Sequence, residues 1–301
     1  MPYDTTGAAE MQRIDFQPSP STWMQMQQCG RHRIVKWQEK PTKGHIKRLN
    51  KTEYVRLSDG EVLKYMAKNK DDIRRASLRR TFADLRAMIR ANFEGGKNNQ
   101  KMITLTYAEN MMDTKKLYKD FVAFHHRLCR AFPDHKLEYI AVAEPQGRGA
   151  WHMHVLIKSD KPRWFVQKEA LTAMWGHGGT YVEALRSDDV GDYYAAYFTG
   201  LLAETRGKTD PEAERAALEL QRKLGDKSAK SIIKGGRLHF YPAGMRFYRR
   251  SRGIVMPEFD KAEFADALDG YKIKRATAQE MKIDGEHKNT YYQATLQKRG
   301  E

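Results

Sequence analysis

His152 and His154 are separated by a single residue, and Glu144 lies upstream in the spacing E-x7-H-x-H. The stretch YIAVAEPQGRGAWHMHVLI, residues 139–157, places apolar runs on either side of a Pro, Gly and Arg segment that has to turn, so it reads as a β-hairpin with a longer loop. Side chains alternate faces along a strand, so His152 and His154 point the same way, and Glu144 joins them if it pairs opposite His152. Two imidazoles and a carboxylate converging on one point form a donor set for a divalent ion, with positions left open for water or substrate oxygens. Downstream, Tyr193 and Tyr197 in DYYAAYFTG stand four residues apart. On a helix that spacing stacks both phenols on one face, where both could reach one phosphate held at such an ion.

The elements around these residues follow from pattern. Residues 71–93 read as a helix with Ile73, Leu78, Phe82, Leu85, Ile89 and Phe93 as its apolar stripe, Asp71 as cap and Gly95 and Gly96 as the stop. Arginines 74, 75, 79, 80, 86 and 90 then cover the opposite side, either along a DNA backbone or simply solvated. MITLTY, residues 102–107, reads as a strand. Asp113 or Thr114 caps a helix that carries Leu117, Phe121, Phe124, Leu128 and Phe132 inward and closes at Pro133. His125 and His126 on that helix read as surface or core residues. After the hairpin, 163–175 reads as a helix, WGHGG as a turn with His177 in a loop role or touching substrate, 180–185 as a strand, and 188–202 as the tyrosine helix. A helix at 210–224 and a strand at 237–241 follow. The order predicts an α+β domain, an antiparallel sheet of about five strands with flanking helices, plus basic N-terminal and C-terminal extensions.

Composition narrows the partner. The chain has 301 residues, a net charge of +16 and a pI near 9.6. Lys and Arg in such excess favour nucleic acid through phosphate neutralisation and counterion release, and no basic amphipathic helix with aromatic anchors argues for a membrane surface. Basic and aromatic residues interleave from Trp23 through Lys36 and Trp37 to Arg56, which suits phosphate contacts with base stacking or a solvated basic face. The densest such patch gathers Lys234, Arg237, Arg246, Arg249, Arg250 and Arg252 with Phe240, Tyr241, Phe247 and Tyr248. Arg148 in the hairpin loop, Lys36 and Arg79 complete the candidate DNA contacts. Only Cys29 and Cys129 occur, so a disulfide is not expected and a reducing cytoplasm is the expected compartment. Residues 1–21 read as a loose tail without the regions of a signal peptide. Cys29 and His32 lack the second pair a zinc site needs, and Gly207, Lys208 and Thr209 lack the partner glycine of a phosphate loop, so neither module is expected.

His152-Met153-His154, Glu144, the tyrosine pair and the upstream strand MITLTY together resemble the rolling-circle replication initiators of the HUH endonuclease superfamily, of the bacterial plasmid and phage-like type. RFYRRSRGI, residues 246–254, is similar to a segment found downstream in such members. The resemblance covers roughly residues 77–257. It implies a nickase in which Tyr193 and Tyr197 are nucleophiles, Glu144, His152 and His154 hold Mn or Mg, with Zn also compatible, and a 5′-phosphotyrosine forms beside a free 3′-OH that primes synthesis. It also implies single-stranded and origin DNA as partners, together with a host helicase and replication machinery. Many relatives carry a lysine three residues after each tyrosine; here those places are Ala196 and Gly200. The domain expectation is 1–97 as a basic, DNA-binding extension, 98–205 as the nicking domain, 206–256 as a basic-aromatic extension packing on the core, and 257–301 as a tail. Rival readings are an HUH-type transposase, which would share every site residue, a non-catalytic DNA-binding regulator, and a zinc hydrolase that would survive loss of both tyrosines.

Overall fold

The computed structural model describes residues 12–13, 18–39, 46–57, 59–64, 70–145, 150–185, 200–202, 232–234, 244–246, 248–282 and 288–299. In chain order the elements begin with β1 (Gln12–Arg13), β2 (Trp23–Cys29), β3 (His32–Gln38), β4 (Ile46–Arg48), β5 (Glu53–Arg56), β6 (Val62–Lys64) and α1 (Lys70–Asn92). There follow β7 (Gln100–Leu105), α2 (Thr114–Ala131), β8 (Leu137–Pro145), β9 (Trp151–Ser159), α3 (Lys168–Trp175) and β10 (Thr180–Ala184). The chain continues through β11 (Gly200–Leu202), β12 (Ile232–Lys234), β13 (Tyr248–Arg250), β14 (Phe259–Glu263), α4 (Phe264–Leu268), β15 (Tyr271–Lys282) and β16 (Lys288–Lys298). The architecture is α+β with antiparallel sheets, and it divides into two units, Met1–Asp84 with Pro257–Glu301, and Leu85–Met256.

The second unit contains the predicted five-stranded sheet, in the order β10-β7-β9-β8-β13. One face is covered by α2. Asp113 caps this helix by accepting from the backbone N–H groups of Lys115 and Lys116 at 2.7 and 3.1 Å, and Leu117, Phe121, Phe124 and Leu128 are buried beneath it. Phe121 meets Tyr139 of β8 edge to face at 5.0 Å, and Phe124 meets Trp175 of α3 at 5.9 Å. Helix α3 begins at Lys168, five residues later than periodicity suggests. The preceding residues are extended, with Trp164 and Val166 buried and Phe165 exposed between them. The last turns of α1 belong to this unit, and they are buried on more than one side. Leu85, Ile89 and Phe93 are buried as expected, but so are Met88 and Arg90; Arg90 is only 6% exposed and therefore does not lie on an open basic face.

RFYRRSRGI becomes an edge of the sheet. Tyr248, Arg249 and Arg250 pair with Val142, Ala141 and Ile140 of β8. The strand is pinned where it ends: Ser251 Oγ accepts from the Tyr139 N–H at 2.8 Å, and the Glu138 carboxylate accepts from the Gly253 N–H at 3.0 Å. A Cβ at Gly253 would fall 2.1 Å from Glu138 Oε1, so a side chain here would push the Glu138 carboxylate aside.

The first unit is built on a six-stranded antiparallel sheet, β1-β15-β16-β3-β2-β14. Strands β2 and β3 join through a two-residue turn with Gly30 at φ 58. Met24, Val35, Trp37, Phe264, Tyr271, Ala294 and Leu296 form its core, with Trp37 stacked on Tyr292 at 5.1 Å. Residues 257–301, read from sequence as a tail, supply β14, α4 and the β15–β16 hairpin of this sheet. Part of the stretch read as a loose N-terminal tail also joins it, because β1 pairs with β15. A separate meander, β4-β5-β6, carries Lys47, Arg48 and Arg56. Residues 200–202, expected to end the tyrosine helix, instead pair as β11 with β12. The remainder of that helix, the helix at 210–224 and the strand at 237–241 lie outside the described residues.

Candidate functional site

The central hairpin forms in the register that chemistry requires. β8 and β9 pair with Glu144 opposite His152 and Val142 opposite His154, and β7 sets Thr104 opposite His154 on the other side. Directly paired residues of antiparallel strands share a face, so Glu144, His152, His154 and Thr104 all project from the side of the sheet opposite α2. The remote end of that face is closed by the end of α1, where Lys158 donates to Asn92 Oδ1 at 3.1 Å and lies over the Phe93 ring.

One ligand atom from each of Glu144, His152 and His154 can be chosen so that all lie within 4.8 Å of one another. Glu144 is 6% exposed and His154 2%, while His152 is half-buried at the mouth. The cluster is therefore walled by protein on the Glu144 and His154 side and open on the His152 side. Burial pushes the His154 pKa down to about 4, against the opposing charge of Glu183, which projects from the same face of the sheet. His154 is thus neutral at physiological pH, the form that can ligate a cation.

Both nitrogens of His154 are engaged. Nε2 lies in close contact with Glu144 Oε2, and Nδ1 is 3.1 Å from Thr104 Oγ1. A hydroxyl can donate or accept, so Thr104 satisfies either tautomer: it donates to Nδ1 when Nε2–H bonds Glu144, and it accepts from Nδ1–H when the Nε2 lone pair faces a cation. This donor set, two imidazoles and a carboxylate with ligand atoms within 4.8 Å of one another and one imidazole held from behind, fits a divalent ion. Thr104 went unassigned from sequence. The signal was present in the alternation of MITLTY, which puts Thr104 on one face with Met102, but only the register shows that this face is the one bearing His154.

A second polar cluster anchors the loop after β7. Asp120 of α2 accepts from Tyr107 Oη at 2.9 Å and from Lys116 Nζ at 2.7 Å, with His177 Nε2 3.7 Å from its other oxygen. Burial would raise the Asp120 pKa, but these bonds and the neighbouring His177 hold it below the usual range. Burial, reinforced by the bond to Asp120, raises the Tyr107 phenol. The WGHGG turn is thereby fixed against β7: Trp175 Nε1 donates to the Thr106 carbonyl at 2.8 Å, and Gly178 packs so closely that a Cβ would fall 2.4 Å from the same carbonyl oxygen. His177 sits in this turn with its ring 5.7 Å from Tyr107 and 4.9 Å from Trp175.

Of the other predicted site residues, Tyr193, Tyr197, Arg148 and Arg237 lie outside the described residues, and Arg79 lies on α1. Arg246, Arg249, Arg250 and Arg252 are exposed. Arg249 lies over the Tyr118 ring at 3.9 Å, on the α2 side of the sheet, and Arg250 donates to the Ile254 carbonyl at 2.8 Å. Lys36 is half-buried over the Phe259 ring at 4.4 Å, and burial lowers its pKa. Arg33, one of the interleaved basic residues, donates to the carbonyls of Asp266 and Ala267 at the end of α4 and stacks on Tyr271 at 4.0 Å, so its role is to cap that helix. Cys29 and Cys129 are free thiols, and among the described residues no helix is long and apolar enough to cross a membrane.

A five-stranded antiparallel sheet presenting a two-histidine, one-carboxylate cluster on its inner strands is compatible with an HUH-like fold. Residues 100–201, about a third of the chain, match the family model described as replication-associated protein ORF2/G2P, which supports a rolling-circle replication initiator. The matched stretch begins with β7 and includes the whole triad and both candidate tyrosines. No curated protein and no solved structure matches the chain.

Proposed function

We propose that the chain nicks one strand of origin DNA by tyrosine transesterification and rejoins it at termination. The observation that carries this reading is the triad: Glu144, His152 and His154 meet on one sheet face, open on the His152 side, within the stretch similar to replication-associated proteins. Mn, Mg or Zn bound there would act as a Lewis acid on the nonbridging oxygens of the scissile phosphate.

The chain's own groups do the rest. The Tyr193 hydroxyl attacks phosphorus, the bond from phosphorus to the 3′-oxygen breaks, and that oxygen leaves with a proton as a free 3′-OH. The product is a 5′-phosphotyrosine that retains the free energy of the diester, so rejoining by a 3′-OH requires no nucleotide. Tyr197, four residues further along the chain, attacks the regenerated junction while Tyr193 still holds the first end. Tyr194 takes no part. An ordinary phenol with a pKa near 10 is a modest nucleophile at neutral pH, so in-line positioning and phosphate polarisation supply the rate.

In this reading 98–205 is the nicking domain, exposed basic residues of 1–97 and 206–256 contact origin and single-stranded DNA, a host helicase separates the strands, and the host replication machinery extends the free 3′-OH in the cytoplasm. The test incubates the full chain with labelled single-stranded origin DNA and Mn, then runs a denaturing gel. Wild type carries label, Tyr193→Phe loses most of it and Glu144→Ala is impaired. Loss of label in Tyr194→Phe alone would overturn the tyrosine register. A regulator would shift DNA on a native gel and never become covalently labelled.

A further inference from the structure

We propose that Tyr181 is a base-stacking platform for the DNA strand approaching the triad, an inference that rests on the nicking reading of that triad. Tyr181 pairs with Thr104, and Thr104 pairs with His154. Residues paired in this way share a face, so Tyr181, Thr104 and His154 form one row across β10, β7 and β9. Two strand spacings, ~10 Å, separate the backbone of Tyr181 from that of His154. A nucleotide next to the scissile phosphate falls within that reach.

The ring is available. Tyr181 is 59% exposed, and among the described residues it has neither a hydrogen bond nor a ring partner. Its neighbours on β10 are otherwise used: Thr180 is buried, sharing a hydroxyl contact with Thr172 of α3 at 2.6 Å, and Val182 projects from the opposite face. At the other end of the same row, Tyr248 of β13 is half-buried, so the open ring is on the β10 side.

Charge specifies which part of a nucleotide lies there. Glu183, the next residue of β10 on this face, is half-buried and close enough for its charge to act on His154. A carboxylate beside Tyr181 repels a backbone phosphate, whereas a neutral base over the ring meets no such cost. Every base has a π-face, so the platform positions the strand without selecting sequence.

The test measures anisotropy of a fluorescein-labelled, mixed-sequence single-stranded oligonucleotide with the full chain in EDTA. Tyr181→Ala and Tyr181→Gln weaken binding by about 5- to 150-fold, whereas Tyr181→Phe and Tyr181→Trp stay within about twofold of wild type. With Mn, Tyr181→Ala raises the DNA concentration needed for half-maximal nicking. Wild-type affinity in both Tyr181→Ala and Tyr181→Gln overturns the proposal, as does Tyr181→Phe proving as damaging as Tyr181→Ala, which would assign the role to the hydroxyl. The two readings fail separately: a wild-type chain that never nicks refutes the nicking reading while anisotropy still reads the platform, and a nicking chain whose affinity ignores Tyr181 refutes the platform alone.

Discussion

Replacing Thr104 by valine isolates the contact that orients His154. The substitution keeps shape and β-branching, so β7 retains its pairing, but it removes the hydroxyl 3.1 Å from Nδ1. His154 is 2% exposed, so water does not readily take the vacated position. A buried nitrogen left without its partner costs about 1–3 kcal/mol of stability. Loss of an outer partner of a metal-ligating histidine typically costs about 10- to 100-fold in metal affinity. Take a Mn concentration of about 100 times the wild-type Kd: wild type gains about 2.7 kcal/mol of stability, while a variant about 30-fold weaker gains about 0.9. Urea denaturation with and without Mn measures both gains, and calorimetric titration gives the affinities directly. Thr104→Ser, which keeps the hydroxyl, should track wild type. A folded Thr104→Val that binds Mn within twofold of wild type would refute the argument that this hydroxyl holds the imidazole in place.

Other expectations follow from the same geometry. Asp120→Ala strands the Tyr107 hydroxyl and Lys116, and should cost roughly 1–3 kcal/mol in chemical denaturation with Mn affinity unchanged; an unaltered midpoint counts against the anchoring role. Gly178→Ala drives a Cβ to 2.4 Å from the Thr106 carbonyl oxygen and 2.6 Å from the Ala108 nitrogen, and should destabilise by about 2 kcal/mol or more; a neutral result would mean the WGHGG turn is not clamped to β7. Burial first, and then neighbouring His126, hold the His125 imidazole below 6.5. The unfolded chain then binds a proton that the folded chain does not, so stability present above pH 6.5 is lost as pH falls below it. His125→Gln should flatten that loss between pH 7.5 and 5.5, and an unchanged slope would contradict the assignment.

The triad was legible because a strand has a period of two. Once the Pro and Gly segment fixed a hairpin, His152 and His154 had to share a face, and the β8–β9 register placed Glu144 with them. Helix α2 was legible for similarly local reasons, with Asp113 at its start and Pro133 just past its end. What escaped the sequence depends on distant partners. Arg33 looked available for phosphate until α4, more than two hundred residues away, placed carbonyls against it. Strands β15 and β16 alternate Ala, Thr, Lys and Tyr with few large apolar residues, so the longest hairpin carried little hydrophobic signal and read as a tail. In residues 163–167 a two-residue alternation of Trp164, Phe165 and Val166 merged with the helical pattern that follows. The hydroxyl behind His154 required the register between β7 and β9, which neither strand encodes alone.

If an ion site made by Glu144, His152 and His154 presents a phosphate to the tyrosines that follow β10, the covalent adduct forms on one of those tyrosines and only with the metal bound. The most direct measurement digests the chain after reaction with single-stranded origin DNA and maps the covalently attached nucleotide by mass spectrometry, with Mn and with EDTA. The account predicts a 5′-phosphodiester on Tyr193, present with Mn and absent with EDTA or in Glu144→Ala. An adduct on Tyr181, on Tyr194 or on a residue outside 100–201, or an adduct on Tyr193 that forms equally well in EDTA, would contradict it.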